Sequence, residues 1–273
     1  MRRKYLFILC AVVLCSLHAM PQSINAPLGA RAAGMGHCSL LSKDVWGSFN
    51  NQAALAYQSG FSFGVSLKNA YLLKEMNRVS MATVFQLGRG GFTASVDHFG
   101  STLYSEMKAG AGYALRLGSR LAAGLQIDYL RMAIGEGFGS YHAFTFEGGM
   151  LLQLSGKLSL GFHCFNPIHS GWTGSDDRIP VSMRAGFGYQ PEKSISICAE
   201  IMKSTNMPAV IAVGCEYRYR ERFFMRAGIS SGPARISFGA GIKMKRINID
   251  IATELHTYLG VSPQFSISYN SKP

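Results

Sequence analysis

The stretch RISFGAGIKM, Arg235–Met244, alternates without a break. Ile236, Phe238, Ala240, Ile242 and Met244 form one set, and Arg235, Ser237, Gly239, Gly241 and Lys243 the other. Successive side chains of a strand point to opposite faces, so this stretch reads as a strand with one apolar and one polar face. At a helical period the two sets would mix around the circumference. FSFGVSL, Phe61–Leu67, repeats the pattern: Phe61, Phe63, Val65 and Leu67 stand against Ser62, Gly64 and Ser66. Working outward from these two, the alternation predicts an all-β chain of about 14 antiparallel strands. They fall over 61–72, 77–88, 91–98, 104–117, 119–134, 141–155, 157–166, 180–190, 193–203, 209–220, 222–230, 233–244, 246–256 and 262–270. Many of these are as long as the about 9–11 residues that cross a bilayer in a tilted barrel. Soluble strands are mostly about 5–6 residues.

Alternation by itself also fits a soluble sandwich, in which the apolar faces meet inside. Two further features decide for a membrane barrel. The connections alternate in length: Gly88-Arg89-Gly90, Gly118-Ser119, Gly156-Lys157, Pro191-Glu192 and Glu221 read as tight turns, with longer loops between them at 72–77, 99–103, 135–140, 167–179, 204–208, 231–232 and 257–261. Short periplasmic turns and longer outer loops are the pattern of outer-membrane barrels. The chain also opens MRRKYLFILCAVVLCSLHAMPQ, a basic start followed by a short apolar run and a small residue at Ala19. That is a secretory leader over 1–19. The expected organisation is leader 1–19, an N-terminal plug segment 20–60 and a barrel 61–273, integral to a bacterial outer membrane and in contact with its lipid. Tyr71, Tyr104, Tyr141 and Tyr258 read as one aromatic girdle, and Tyr189, Tyr219, Phe223 and Tyr269 as the other.

Composition excludes several functions. The formal charge is +12, but an exported chain gives that charge no nucleic acid to bind. Beyond the leader the cysteines are Cys38, Cys164, Cys198 and Cys215, with no zinc-site spacing. Alternation turns Cys198 inward and Cys164 and Cys215 outward, so no disulfide is expected among the three. The histidines are scattered, and no metal or cofactor site is read. Asp97-His98 has a hydrolase flavour, but neighbours on a strand face opposite sides. The chain reads as non-enzymatic.

The polar face carries charges that a barrel would turn inward: Lys108, Arg116, Asp128, Glu147, Arg184, Glu200, Glu216, Arg218, Arg226, Arg235, Lys243, Asp250 and Glu254. These charges either line a conductive polar channel or pair with one another and with Arg31, Lys43 and Asp44 of the plug segment; acids and bases are mixed, which favours pairing, since buried charges need partners. The same face is rich in glycine, including Gly64, Gly110, Gly124, Gly149, Gly186, Gly228 and Gly239. Glycine in a strand lets another backbone come close. The available backbone is the non-alternating segment 20–60.

That segment contains GARAAGMG, Gly29–Gly36. It is no phosphate loop, because Met35 stands where the lysine belongs and no strand precedes it. The longer run LGARAAGMGHCSLLSKDVWGSFNNQAALA resembles the start of outer-membrane barrels of the FadL-like superfamily, most of all its PorV/PorQ branch in Bacteroidetes-type bacteria. Gly29, Ala30, Arg31, Ala32, Gly34, Gly36, Asp44, Asn51, Ala53 and Leu55 match that start, with Gln52 in place of the usual proline. The last three strands also resemble the family. The resemblance implies a fourteen-stranded barrel with a luminal plug, carrying Gly29, Arg31, Gly34, Gly36, Asp44 and Asn51. It implies a role in type IX secretion, as cargo shuttle or surface-complex anchor, with other secretion-system proteins as partners. Trp172, in the longest loop, reads either as a contact for such a partner or as an interfacial aromatic. The alternative is transport of a small hydrophobic ligand, as in the fatty-acid branch. The inward face offers little for it: Leu130, Leu151, Phe165 and Phe224 are few and dispersed, and the chain lacks large outer insertions to form a capture groove. A general porin is a third reading, opposed by the plug.

Overall fold

The computed structural model describes residues 24–136, 139–205 and 207–272; the expected leader lies outside them. Fourteen strands close into one antiparallel barrel, with β1 paired to β14. They are β1 Phe61–Asn69, β2 Asn77–Leu87, β3 Gly90–Gly100, β4 Tyr104–Arg116, β5 Leu121–Ile134, β6 Gly139–Gln153, β7 Leu158–Phe165, β8 Ser182–Glu192, β9 Ile195–Ser204, β10 Val210–Tyr219, β11 Phe223–Ser231, β12 Ala234–Met244, β13 Ile247–His256 and β14 Gly260–Asn270. No helix among the described residues is long and apolar enough to cross a membrane.

The burial pattern is inverted relative to a soluble sandwich. Leu125, Phe144, Met183 and Met225 are exposed on the outside, at 60% or more. Ser80, Asp97, Lys108, Asp128 and Glu147 are buried on the inside. Only lipid around the wall makes that arrangement favourable, because apolar area left in water would cost about 25 cal/mol per Å².

Most predicted boundaries move by a residue or two, and three of the shifts have a visible local reason. β1 stops at Asn69, and short 3-10 turns at Ala70–Leu72 and Lys74–Met76 follow. Tyr71 and Leu72 there take left-handed backbone, with φ 58° and 60°. β7 stops at Phe165 because Asn166 turns the chain inward. Its Oδ1 accepts from Thr145 Oγ1 (2.7 Å) and Ser170 N (2.9 Å), and its Nδ2 donates to Ile179 O (2.7 Å). The Pro191-Glu192 turn is not found. β8 runs through both residues with a register irregularity between Tyr189 and Glu192, and the turn falls at 193–194. Irregularities of this kind are where a sheet accepts proline. The outer girdle is also partly corrected. Tyr104 turns inward and bonds Glu106, and Tyr71 faces the lumen.

Residues 24–60 lie against the inner wall. They form helix α1, Ala30–Gly34, helix α2, Gly47–Asn50, and a 3-10 turn at Gln52–Tyr57. Leu28, Val45, Trp46, Phe49 and Leu55 make a buried apolar cluster with Ala82, Val84, Ala114, Ala122 and Leu151 of the wall. Glycine makes the closest approach possible. A side chain at Gly228 would overlap the backbone of Met35 and Gly36, and Gly36 itself sits at φ 67° against the backbone of Ile229.

Candidate functional site

Charged side chains on the inner wall hold the N-terminal segment at four places. In the first, Arg31 of α1 donates Nε to Glu216 Oε2 (2.9 Å) and Nη2 to Glu216 Oε1 (3.0 Å), with Asp44 3.4 Å from Nη1. Arg226 shares Glu216 Oε2 at 2.7 Å and reaches Asp250 at 2.7 Å. The attraction of Glu216 holds the Arg31 guanidinium well above its ordinary pKa.

In the second, Arg184 Nη2 meets Glu200 Oε2 at 2.6 Å and Ser39 Oγ at 2.7 Å. Glu200 Oε1 accepts the backbone N–H groups of Ser39 (2.5 Å) and Leu40 (2.7 Å). In the third, Glu147 accepts from Gln52 (2.6 Å), Gln126 (2.7 Å) and Lys108 (2.9 Å), with His163 3.4 Å away and Asp128 3.7 Å from the Lys108 ammonium. In the fourth, Glu254 gathers Lys68 at 2.8 Å, His37 at 3.1 Å and Arg235 at 3.6 Å. Burial holds the His37 pKa below its ordinary value, against the pull of Glu254.

Of the expected inward charges, Lys108, Asp128, Glu147, Arg184, Glu200, Glu216, Arg226, Asp250 and Glu254 are buried on the inner face. Arg116, Arg218, Arg235 and Lys243 sit nearer the barrel ends. Arg116 Nε caps the carbonyl of Ala56 (2.8 Å), and Arg218 is 3.6 Å from Glu216. Asn51 ties the segment to itself and the wall, donating to Leu40 O (2.8 Å) and Met150 O (3.3 Å). Gly34 lies against Gly239 of the wall, and Gly29 under the ring of Trp46. Asp97 is buried in a pair with Arg78 at 2.6 Å, while His98 faces out. Lys68, Arg78 and His163 are not among the charges expected inward, and Asp97 is read only beside His98, although the alternation in β1–β3 and β7 places all four inward. Trp172 does not project. It is partly buried beside Ile24, Leu130, Phe165 and Ile179, and Thr173 N donates to His142 O at 2.8 Å. The four cysteines among the described residues, Cys38, Cys164, Cys198 and Cys215, are free.

Three cavities meet near the Arg184–Glu200 pair. One of about 540 Å³ lies in the long-loop half of the barrel, over Ala26, Pro27, Gly36 and His37 of the segment. Its walls are mostly apolar: Tyr71, Met76, Phe99, Met202, Met207 and Val210. A smaller one, about 280 Å³, lies at the short-turn end and is bordered by Arg31, Lys43, Gln153, Ser159 and Gln190. A groove of about 710 Å³ on the lipid side follows Leu125, Met150, Phe162, Met183 and Ile201. Glu200 borders the first two and Arg184 the first and third. The expectation that apolar inward residues are few is thereby corrected. The apolar lining comes from strand ends and loops, not from the middle of the strands.

No protein-family pattern matches the chain, and no curated protein sequence is significantly similar to it. Solved structures are similar in fold. The toluene transporter TodX of Pseudomonas putida superposes with a TM-score of 0.71 at 14% identity, over 91% of this chain and 100% of its own. The CymD monoaromatic hydrocarbon channel gives 0.72 at 13% identity, over 91% and 99%. A Pseudomonas aeruginosa FadL homologue gives 0.62 at 14% identity, over 92% and 99%. With the closed fourteen-stranded wall and its apolar exterior, these matches establish an integral outer-membrane β-barrel of the FadL-type fold.

Proposed function

We propose that the protein carries small hydrophobic molecules across the outer membrane, with residues 24–60 as its plug. The observation that carries this reading is the apolar cavity of about 540 Å³ above that segment. Its size lies within the about 300–1,000 Å³ of small-molecule sites. Similarly folded barrels named as hydrocarbon channels and toluene transporters add support. Arg184 and Glu200 stand where the cavity meets the space below and the lipid-side groove, and both grip Ser39 of the segment. Moving residues 37–40 would open the floor. This reading stands ahead of the secretion role implied by the N-terminal resemblance, because the loops are short and Trp172 is packed rather than offered to a partner.

The test is binding of a small aromatic hydrocarbon to the purified barrel, read by native mass spectrometry, together with uptake into proteoliposomes. Ala212 is buried on the cavity wall. Ala212→Trp fills the space and should lower both readouts about tenfold, the weight of about 1.4 kcal/mol. Undiminished uptake by this variant, or wild-type barrel that binds no apolar ligand, sinks the reading. Loss of surface-exported proteins on gene deletion, with uptake intact, restores the secretion role.

A further inference from the structure

The short-turn end of the barrel is basic all the way round. Each of its six turns carries an exposed cation: Arg89, Arg120, Lys157, Lys193, Arg222 and Arg246. Arg220 and Lys245 add a second to two of them, and Lys272 follows β14. Among the described residues none of these forms a salt bridge, and the only acids in these turns or beside them are Glu192 and Glu221. The opposite rim is balanced: Lys74, Arg131, Arg178 and Lys203 stand with Glu75, Glu136, Asp176 and Asp177. The excess charge of the protein is therefore sorted to one end. The pairing inside the lumen does not account for it, because these side chains point into solvent.

The short-turn end is the periplasmic one, where the first and last strands begin and finish. Just above the basic turns lie the exposed rings of Tyr189, Tyr219 and Phe223. Such rings mark headgroup depth. The Arg220 guanidinium is 5.2 Å over the Tyr219 ring, which joins the two belts.

We propose that this rim binds the anionic phospholipid headgroups of the periplasm-facing leaflet as an annulus. Two features select lipid over an acidic protein. The cations are spread over the whole circumference, whereas a docked domain would use one side. They also sit directly at the aromatic belt, where headgroups are and a soluble surface is not. Lys and Arg close to an anionic membrane surface are each attracted to it, and salt screens that attraction. The inference is independent of what the cavity carries.

The test reconstitutes the full barrel into vesicles of equal parts phosphatidylglycerol and phosphatidylethanolamine. It is then extracted gently, and the retained lipids are counted by native mass spectrometry. The wild-type barrel should retain phosphatidylglycerol at least about threefold over phosphatidylethanolamine, and lose the preference in molar salt, where the Debye length is about 3 Å. A variant with Arg89, Arg120, Lys157, Lys193, Arg222 and Arg246 changed to Gln should retain both lipids equally. Neutralising Lys74, Arg131, Arg178 and Lys203 should leave the preference intact. Equal retention by wild type, an unscreened preference, or its loss on neutralising the far rim would overturn the proposal. So would co-purification of an acidic periplasmic protein that the rim variant loses while its lipid profile stays wild type. If the six-fold variant does not fold, the salt arm and the far-rim variant still decide.

Discussion

Arg31 and Glu216, 185 residues apart in sequence, form a two-pronged ion pair between the N-terminal segment and the barrel wall. Arg31→Ala removes the inner partner and leaves Glu216 to Arg226. Breaking a buried pair costs about 3–5 kcal/mol. The remaining Arg226 contact and the quarter-exposed Arg31 side chain lower the expected loss to about 1–3 kcal/mol. Urea titration followed by heat-modifiable gel mobility should show it. Planar-bilayer recordings should show larger and noisier conductance as the segment loosens. Unchanged stability and conductance would mean that the pair holds nothing.

Gly228 has no room for a side chain, because its inner side touches the backbone of Met35 and Gly36. Gly228→Ala should cost about 1–3 kcal/mol by overpacking. Gly118 has nothing nearby, so Gly118→Ala should stay within about 0.5 kcal/mol of wild type. The difference between the two denaturation midpoints reads the close contact itself. Equal midpoints would place the segment away from β11.

Gln52 stands where the N-terminal run that this chain resembles usually carries proline. Its side chain donates to Glu147 at 2.6 Å. It is also the first residue of its 3-10 turn, where the missing N–H of a proline is tolerated. Gln52→Pro and Gln52→Ala should therefore cost alike, about 1–3 kcal/mol, through the lost hydrogen bond to a buried carboxylate. A much larger loss for the proline variant would show that the backbone, not the side chain, sets the geometry.

His37 faces Glu254 of β13, Lys68 of β1 and Arg235 of β12. Its pKa in the folded barrel lies below the ordinary 6.5, chiefly through burial. The unfolded chain therefore binds a proton first as the pH falls, and stability drops below about pH 6.5, at up to about 1.4 kcal/mol per pH unit. Unfolding midpoints measured between pH 7 and pH 5 should fall for wild type. His37→Gln should flatten this slope. A slope that survives in the variant assigns the effect to another group.

The strands were legible because their signal is local. Arg235–Met244 alternates in sequence and again in the barrel, with Ser237 and Gly239 inward and Ile236 and Phe238 outward. Lys108, Glu147 and Glu216 were placed inward by the same rule. The errors came where a strand meets a turn. Pro191 looked like a turn and lies in a strand, and Tyr71 looked like a girdle residue and faces the lumen. At such positions the backbone leaves the period of two, and the pattern stops reporting which way a side chain points.

By itself the sequence determined the all-β class, the inward and outward faces of the strands, and the mixture of acids and bases on the inward one. Each depends on neighbours one or two positions apart. The tertiary structure alone decided which charges pair and where apolar space remains. Arg184 meets Glu200 and Ser39, and Arg31 meets Glu216, only because the wall closes on itself and residues 24–60 lie against its inner face. The apolar cavity likewise exists only when Phe99, Met202, Met76 and Met207, from separate strand ends and loops, are brought around one space. No local periodicity encodes that convergence, because it is set by ring closure over the whole chain.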